Sequence, residues 1–124
     1  MQINTPDNPN PAPDYMEVVV FSDPLNLDAN TSNAFYCEIT GNTTLNILNT
    51  RIGATYLIQL DMDSSGGHTV TLGSLFRGTI LGSSAIDTTA NGVNLISIVR
   101  GRGGYLTYNI TNVTVTATTT TTTT

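Results

Sequence analysis

Apolar and polar residues alternate in short runs along most of the chain, and Gly, Asn, Ser and Asp separate the runs. A period of two sends successive side chains to opposite faces of an extended strand. Thr55–Met62 is the clearest case, with Tyr56, Ile58, Leu60 and Met62 in one parity and Leu57, Gln59 and Asp61 in the other. Ala34–Thr40 sets Phe35, Cys37 and Ile39 against Tyr36 and Glu38. After Gly41-Asn42, Leu45 and Ile47 continue the alternation through Thr43–Leu48, and the two runs read as a hairpin. Tyr15–Phe21 is apolar nearly throughout and reads as a buried strand. Ser64–Gly67 turns the chain into His68–Leu72, and Phe76–Leu81 reads as a short strand before a polar loop over 82–92. Val93–Arg100 is strongly β-branched, and Gly101–Gly104 link it to Tyr105–Ala117.

No stretch keeps a period of 3.6 for three turns, so helices are not expected. The pattern predicts an all-β, jelly-roll-like β-sandwich of about eight short antiparallel strands over residues 15–117. Both ends fall outside it. Residues 1–14 carry Pro6, Pro9, Pro11 and Pro13 among Asn and Asp, and read as an extended arm. Residues 118–124 are all Thr, with no apolar face to bury, and read as a tail.

Composition strengthens the β reading: Thr, Asn and Gly are heavily used and Lys is absent. Charge narrows the function. Four arginines (Arg51, Arg77, Arg100, Arg102) stand against nine carboxylates, for a net charge of −5. Nucleic-acid binding needs a cationic surface that displaces phosphate counterions, so no nucleic-acid partner is expected. No segment has the run of about 18 apolar residues that a membrane span requires. Met1–Pro6 has neither the basic start nor the apolar stretch of a signal peptide, so the chain is expected to be made in the cytoplasm and, if it works outside a cell, to leave by lysis or as part of a particle.

Candidate chemistry is sparse. Asp61-Met62-Asp63-Ser64-Ser65-Gly66 has the opening spacing of an EF-hand loop, but its twelfth position is Leu72 instead of a bidentate Glu. The aspartates are better read as turn residues. His68 is the single histidine and Cys37 the single thiol, too few for a zinc site, and Cys37 falls in an apolar parity. No catalytic residue, metal or cofactor is expected. Arg100-Gly101-Arg102-Gly103-Gly104 lacks the Lys-Ser/Thr of a phosphate-binding loop and reads as a hairpin turn. Asn30, Asn42, Asn109 and Asn112 fit the glycosylation pattern, as chance allows in a chain this rich in Asn and Thr.

From Asn49 to Thr107 the order of features resembles a jelly-roll-like module of tailed-phage virion surface proteins, found in capsid decoration, head-fibre and tail-fibre proteins. The resemblance runs through Gly53-Ala-Thr-Tyr-Leu-Ile-Gln-Leu, Ser65-Gly-Gly-His-Thr-Val-Thr-Leu, Phe76-Arg-Gly, Ala90-Asn-Gly-Val-Asn-Leu-Ile-Ser-Ile-Val and Gly103-Gly-Tyr. Leu72 and Tyr105 stand where that module often has Trp. The resemblance implies a non-enzymatic virion structural protein, often a homotrimer. The first expectation is a capsid decoration or cement protein on the capsid surface, bound to the major capsid protein or another virion protein. Its docking arm would use Ile3, Pro6, Pro9, Pro11 and Pro13. The alternative is a receptor-binding or fibre-tip protein that recognises host glycans, with Tyr36, Tyr105, Tyr108, Asp61 and Asp63 as contact candidates.

Overall fold

A computed structural model describes residues 16–80 and 82–114. Nine strands form among them: β1 (Glu17–Val18), β2 (Leu25–Asp28), β3 (Ala34–Ile39), β4 (Thr43–Leu48), β5 (Thr55–Met62), β6 (Val70–Leu72), β7 (Phe76–Thr79), β8 (Val93–Arg100) and β9 (Leu106–Val113). They build a sandwich of two sheets, one ordered β1-β3-β5-β8-β9-β7 and the other β2-β4-β6. No described residue is helical.

Successive strands from β1 to β6 switch sheets, so β1–β2, β3–β4 and β5–β6 are arches that cross from one layer to the other. The arches stack in parallel. Phe35, Cys37 and Ile39 lie beside Ile58, Leu60 and Met62 in one sheet. In the other, Leu25 lies beside Leu45, Leu27 beside Ile47, and Leu45 beside Leu72. Each parallel crossover from β1 to β6 is made by a strand of the opposite sheet, where other folds use a helix. The stack ends at β5, where β8 pairs antiparallel and continues antiparallel into β9.

One parity of each long strand points between the sheets. Leu25, Leu27, Phe35, Ile39, Leu45, Ile58, Leu60, Ile96 and Leu106 are fully or almost fully buried there. Two polar side chains share this interior, and each is hydrogen-bonded as burial demands. Thr43 donates its hydroxyl to the Ser22 carbonyl at 2.8 Å. Asn94 accepts from the Asp87 N–H and from the Asn112 side-chain amide, both at 2.8 Å, and donates to the Asp87 carbonyl at 3.1 Å. That amide ties the 82–92 loop to β8 and β9.

The all-β sandwich expected from the sequence is what forms, with several corrections of detail. There are nine strands, and antiparallel pairing is limited to β5–β8 and β8–β9, the other pairs being parallel. The likeness to a jelly roll therefore extends to the two layers and not to the strand pairing. Gly41-Asn42 joins an arch instead of a hairpin. Phe35, Cys37 and Ile39 face Leu45 and Ile47 across the interior, and in a hairpin they would lie alongside. Of the buried strand expected over Tyr15–Phe21, Tyr15 lies outside the described residues and residues 16–21 do not form one. Glu17 and Val18 pair at the sheet's edge, Val19 N–H donates to the Tyr36 carbonyl at 2.8 Å, and Val18 and Val20 are 74% and 86% exposed while Val19 and Phe21 pack on the core. The expected arm (1–14) and Thr tail (118–124) lie outside the described residues.

Candidate functional site

Strand direction divides the polar side chains between two ends of the sandwich. β1, β3, β5, β7 and β9 all start at one end, and β8 finishes there. Arg100 closes β8, and its backbone exchanges hydrogen bonds with the loop before β5. Gly53 N–H donates to the Arg100 carbonyl at 2.7 Å, and Arg100 N–H to the Ala54 carbonyl at 2.9 Å. Arg51 lies in that same loop, Arg102 in the β8–β9 turn, and Arg77 beside the start of β7. All four basic side chains of the chain therefore gather at one end.

They are not equivalent. Arg100 is half-buried and donates Nη1 to the Thr50 hydroxyl at 2.7 Å, leaving Nε buried with no hydrogen-bond partner. Arg77 and Arg102 are exposed and have no side-chain partner among the described residues. Arg77, Gly78, Gly103 and Tyr105 line a surface cleft of about 380 Å³. The Tyr105 ring runs between the two glycines. A Cβ built on Gly103 would lie 2.9 Å from Cε1, and one on Gly78 3.6 Å from Cε2. Gly103 also has φ of +104°, which a side chain would strain.

The opposite end is acidic, with Asp23, Glu38, Asp61, Asp63 and Asp87 at or near the arch corners. Asp63 organises the corner after β5: its Oδ1 accepts from Ser65 N–H (3.1 Å), Gly66 N–H (3.0 Å) and faces His68 Nε2 at 3.0 Å. The Gly66 hydrogen bond leads in holding this carboxyl below its usual range. The corner is stitched to the loop before β8, where Gly67 N–H donates to Thr88 and Asn91 N–H to the Asp63 carbonyl. Asp87 is also held low, chiefly by the Thr89 backbone N–H.

The residues singled out from sequence distribute as follows. Cys37 is buried between the sheets, its thiol pushed up to about 11 by burial first and Glu38 second, while His68 sits in the surface corner. Asp61 does not join Asp63; it accepts from Tyr36 Oη (3.3 Å) and Gln59 Nε2 (3.0 Å) on the outer face of the sheet. Among the described residues no three His, Cys, Asp or Glu side chains group as metal ligands. Of the proposed glycan contacts, Tyr36 and Asp61 meet, Tyr108 packs edge-on against Phe76 at 5.6 Å, and Tyr105 stands at the basic end. The five do not form one site. Ile3, Pro6, Pro9, Pro11 and Pro13 lie outside the described residues.

A comparison with protein-family models matches residues 26–104, more than half of the chain, to the family described as "Putative phage tail fibre C-terminal domain". The chain belongs to this phage tail fibre domain family. The matched segment of the tail fibre domain runs from Asn26, inside β2, to the β8–β9 turn, so it includes most of β2, all of β4 and β6, and all four arginines. It makes the protein a phage virion surface module. No curated protein and no solved structure matches the chain.

Proposed function

We propose that this tail fibre domain is a non-enzymatic, receptor-binding module at a fibre tip that attaches to glycans of the host surface. Membership of the tail fibre family over residues 26–104 is the observation that carries the reading. It favours the fibre over the capsid lattice as the place of the chain in the virion. The fold suits the role. Stacked arches fix a rigid interior, and the loops at both ends are left free to carry recognition. The outer strands β1, β7, β2 and β6 leave open sheet edges, which neighbouring copies in a homotrimer or adjoining fibre chains would cover.

Copy number in purified virions, by quantitative mass spectrometry against the major capsid protein, tests the placement. A fibre component is expected at a few to a few dozen copies per particle. A ratio to the capsid protein near one, or a simple fraction of it, would return the chain to the decoration role and overturn the fibre reading.

A further inference from the structure

A protein of net charge −5 is repelled by a polyanionic surface unless a cationic face leads its approach. Here one end holds every basic side chain. Among the described residues two carboxylates share that end, both in the first arch and both hydrogen-bonded. Glu17 accepts from the Thr31 hydroxyl at 2.6 Å, and Asp28 from Asn49 Nδ2 and Asn30 N–H at 2.9 Å. Glu17 on β1 and Arg77 on β7 are on opposite edges of the six-stranded sheet. Five strand spacings separate those edges by roughly 24 Å, beyond the Debye length of about 8 Å in physiological salt. Among the described residues neither Arg77 nor Arg102 forms an ion pair.

Arg77 shares its cleft with an aromatic ring, that of Tyr105. Tyr105 is 38% exposed, and its two ring edges lie toward Gly78 and Gly103, where a side chain on Gly103 would crowd the ring. A fixed ring offers an apolar plane at small entropic cost, and a guanidinium offers a planar fork of donors matched to a carboxylate. A hexuronic acid presents both partners on one ring: an apolar face of C–H groups and a carboxylate at its rim. The cleft is an open surface depression of about 380 Å³.

We propose that the cleft lined by Arg77 and Tyr105 binds an acidic saccharide of the hexuronate class, with Arg102, from the turn that supplies Gly103, as a second cation at that end. Tyr105 lies under the sugar face and the two arginines hold the carboxylate. The assignment rests on the host-glycan reading above and says which end of the domain meets the cell and which sugars it selects.

Titration calorimetry of the full chain with tetragalacturonate and with its methyl ester tests it, because the two ligands share a backbone and differ in charge. The acid is expected to bind, the ester about tenfold more weakly or worse. Arg77→Gln and Arg102→Gln should each weaken the acid about tenfold and flatten the salt dependence. Tyr105→Ala should weaken acid and ester alike. Arg77 and Arg102 are exposed, so unchanged thermal melts should accompany these losses. Arg51→Gln serves as the specificity control. An equal loss there would mean diffuse attraction, and the cleft assignment would be wrong. Equal binding of acid and ester, or no binding of either, also overturns it. If tetragalacturonate fails to bind a chain that still attaches to host cells, the site is refuted and the host-binding reading stands. If the chain attaches to no host cell, both fall.

Discussion

Gly66 shows how much one residue can specify at an arch corner. It has φ of +64°, and a Cβ there would lie 2.5 Å from the backbone nitrogen of Ala90. The corner after β5 closes against the loop before β8 through that gap. Gly66→Ala should cost at least about 1–2 kcal/mol from backbone strain alone, read as a lowered midpoint in urea unfolding; an unchanged midpoint would contradict the close approach. The Ser65-Gly66-Gly67 turn was legible as a turn because Gly is the residue that tolerates positive φ. What it approaches was not, since Ala90 is distant in sequence. Asn94 left a fainter signal. It shares the parity of Ile96 and Ile98, which are buried, and a polar residue in an apolar parity is the mark of a buried hydrogen-bond hub.

At the scale of elements, alternation reported which side chains point inward but not which strand lies next door. Phe35, Cys37, Ile39, Leu45 and Ile47 fit a hairpin and an arch equally well, since both bury the same parity. Only the partner strands decide, and they are contributed by later parts of the chain. β2 escaped notice for a different reason. Its two inward residues, Leu25 and Leu27, sit between Pro24 and Asp28-Ala29-Asn30, so the run is shorter than the usual strand signal. Both are nonetheless fully buried, and Leu25→Ala should destabilise by about 2–5 kcal/mol. A cost no greater than that of a surface change would mean β2 is not part of the core. Corners carry the pH dependence. Asp28, Asp63 and Asp87 are each held below the ordinary carboxylate range by hydrogen bonds to Asn49, Gly66 and Thr89 respectively. Their stabilisation is complete above the unfolded value of about 3.9 and is lost as pH falls through the lower folded values. Melting temperature should therefore drop below pH about 4. Asp63→Asn keeps the accepting oxygen but removes the titration, so its acid drop should be smaller than that of the parent; an equal drop would assign the effect elsewhere.

For the whole molecule, sequence exposed the balance of charge but not its arrangement. Arg51, Arg77, Arg100 and Arg102 are scattered along the chain, and stacking with alternating strand direction brings them to one end. The same folding sends Asp23, Glu38, Asp61, Asp63 and Asp87 toward the other. Candidate glycan contacts were spread across both ends when chosen by residue type, because type alone carries no direction. Membership of the tail fibre domain family supplies the setting in which such polarity would have a use under the proposed attachment: an acidic domain would meet an anionic cell with its basic end first. Attachment is therefore the property to measure. Purified chain should be added to host cells before the phage that carries it, and free phage counted over time. Host attachment predicts that the chain binds the cells and slows phage adsorption in proportion to its concentration. A folded chain that neither binds the cells nor alters adsorption at any concentration would contradict the proposed function.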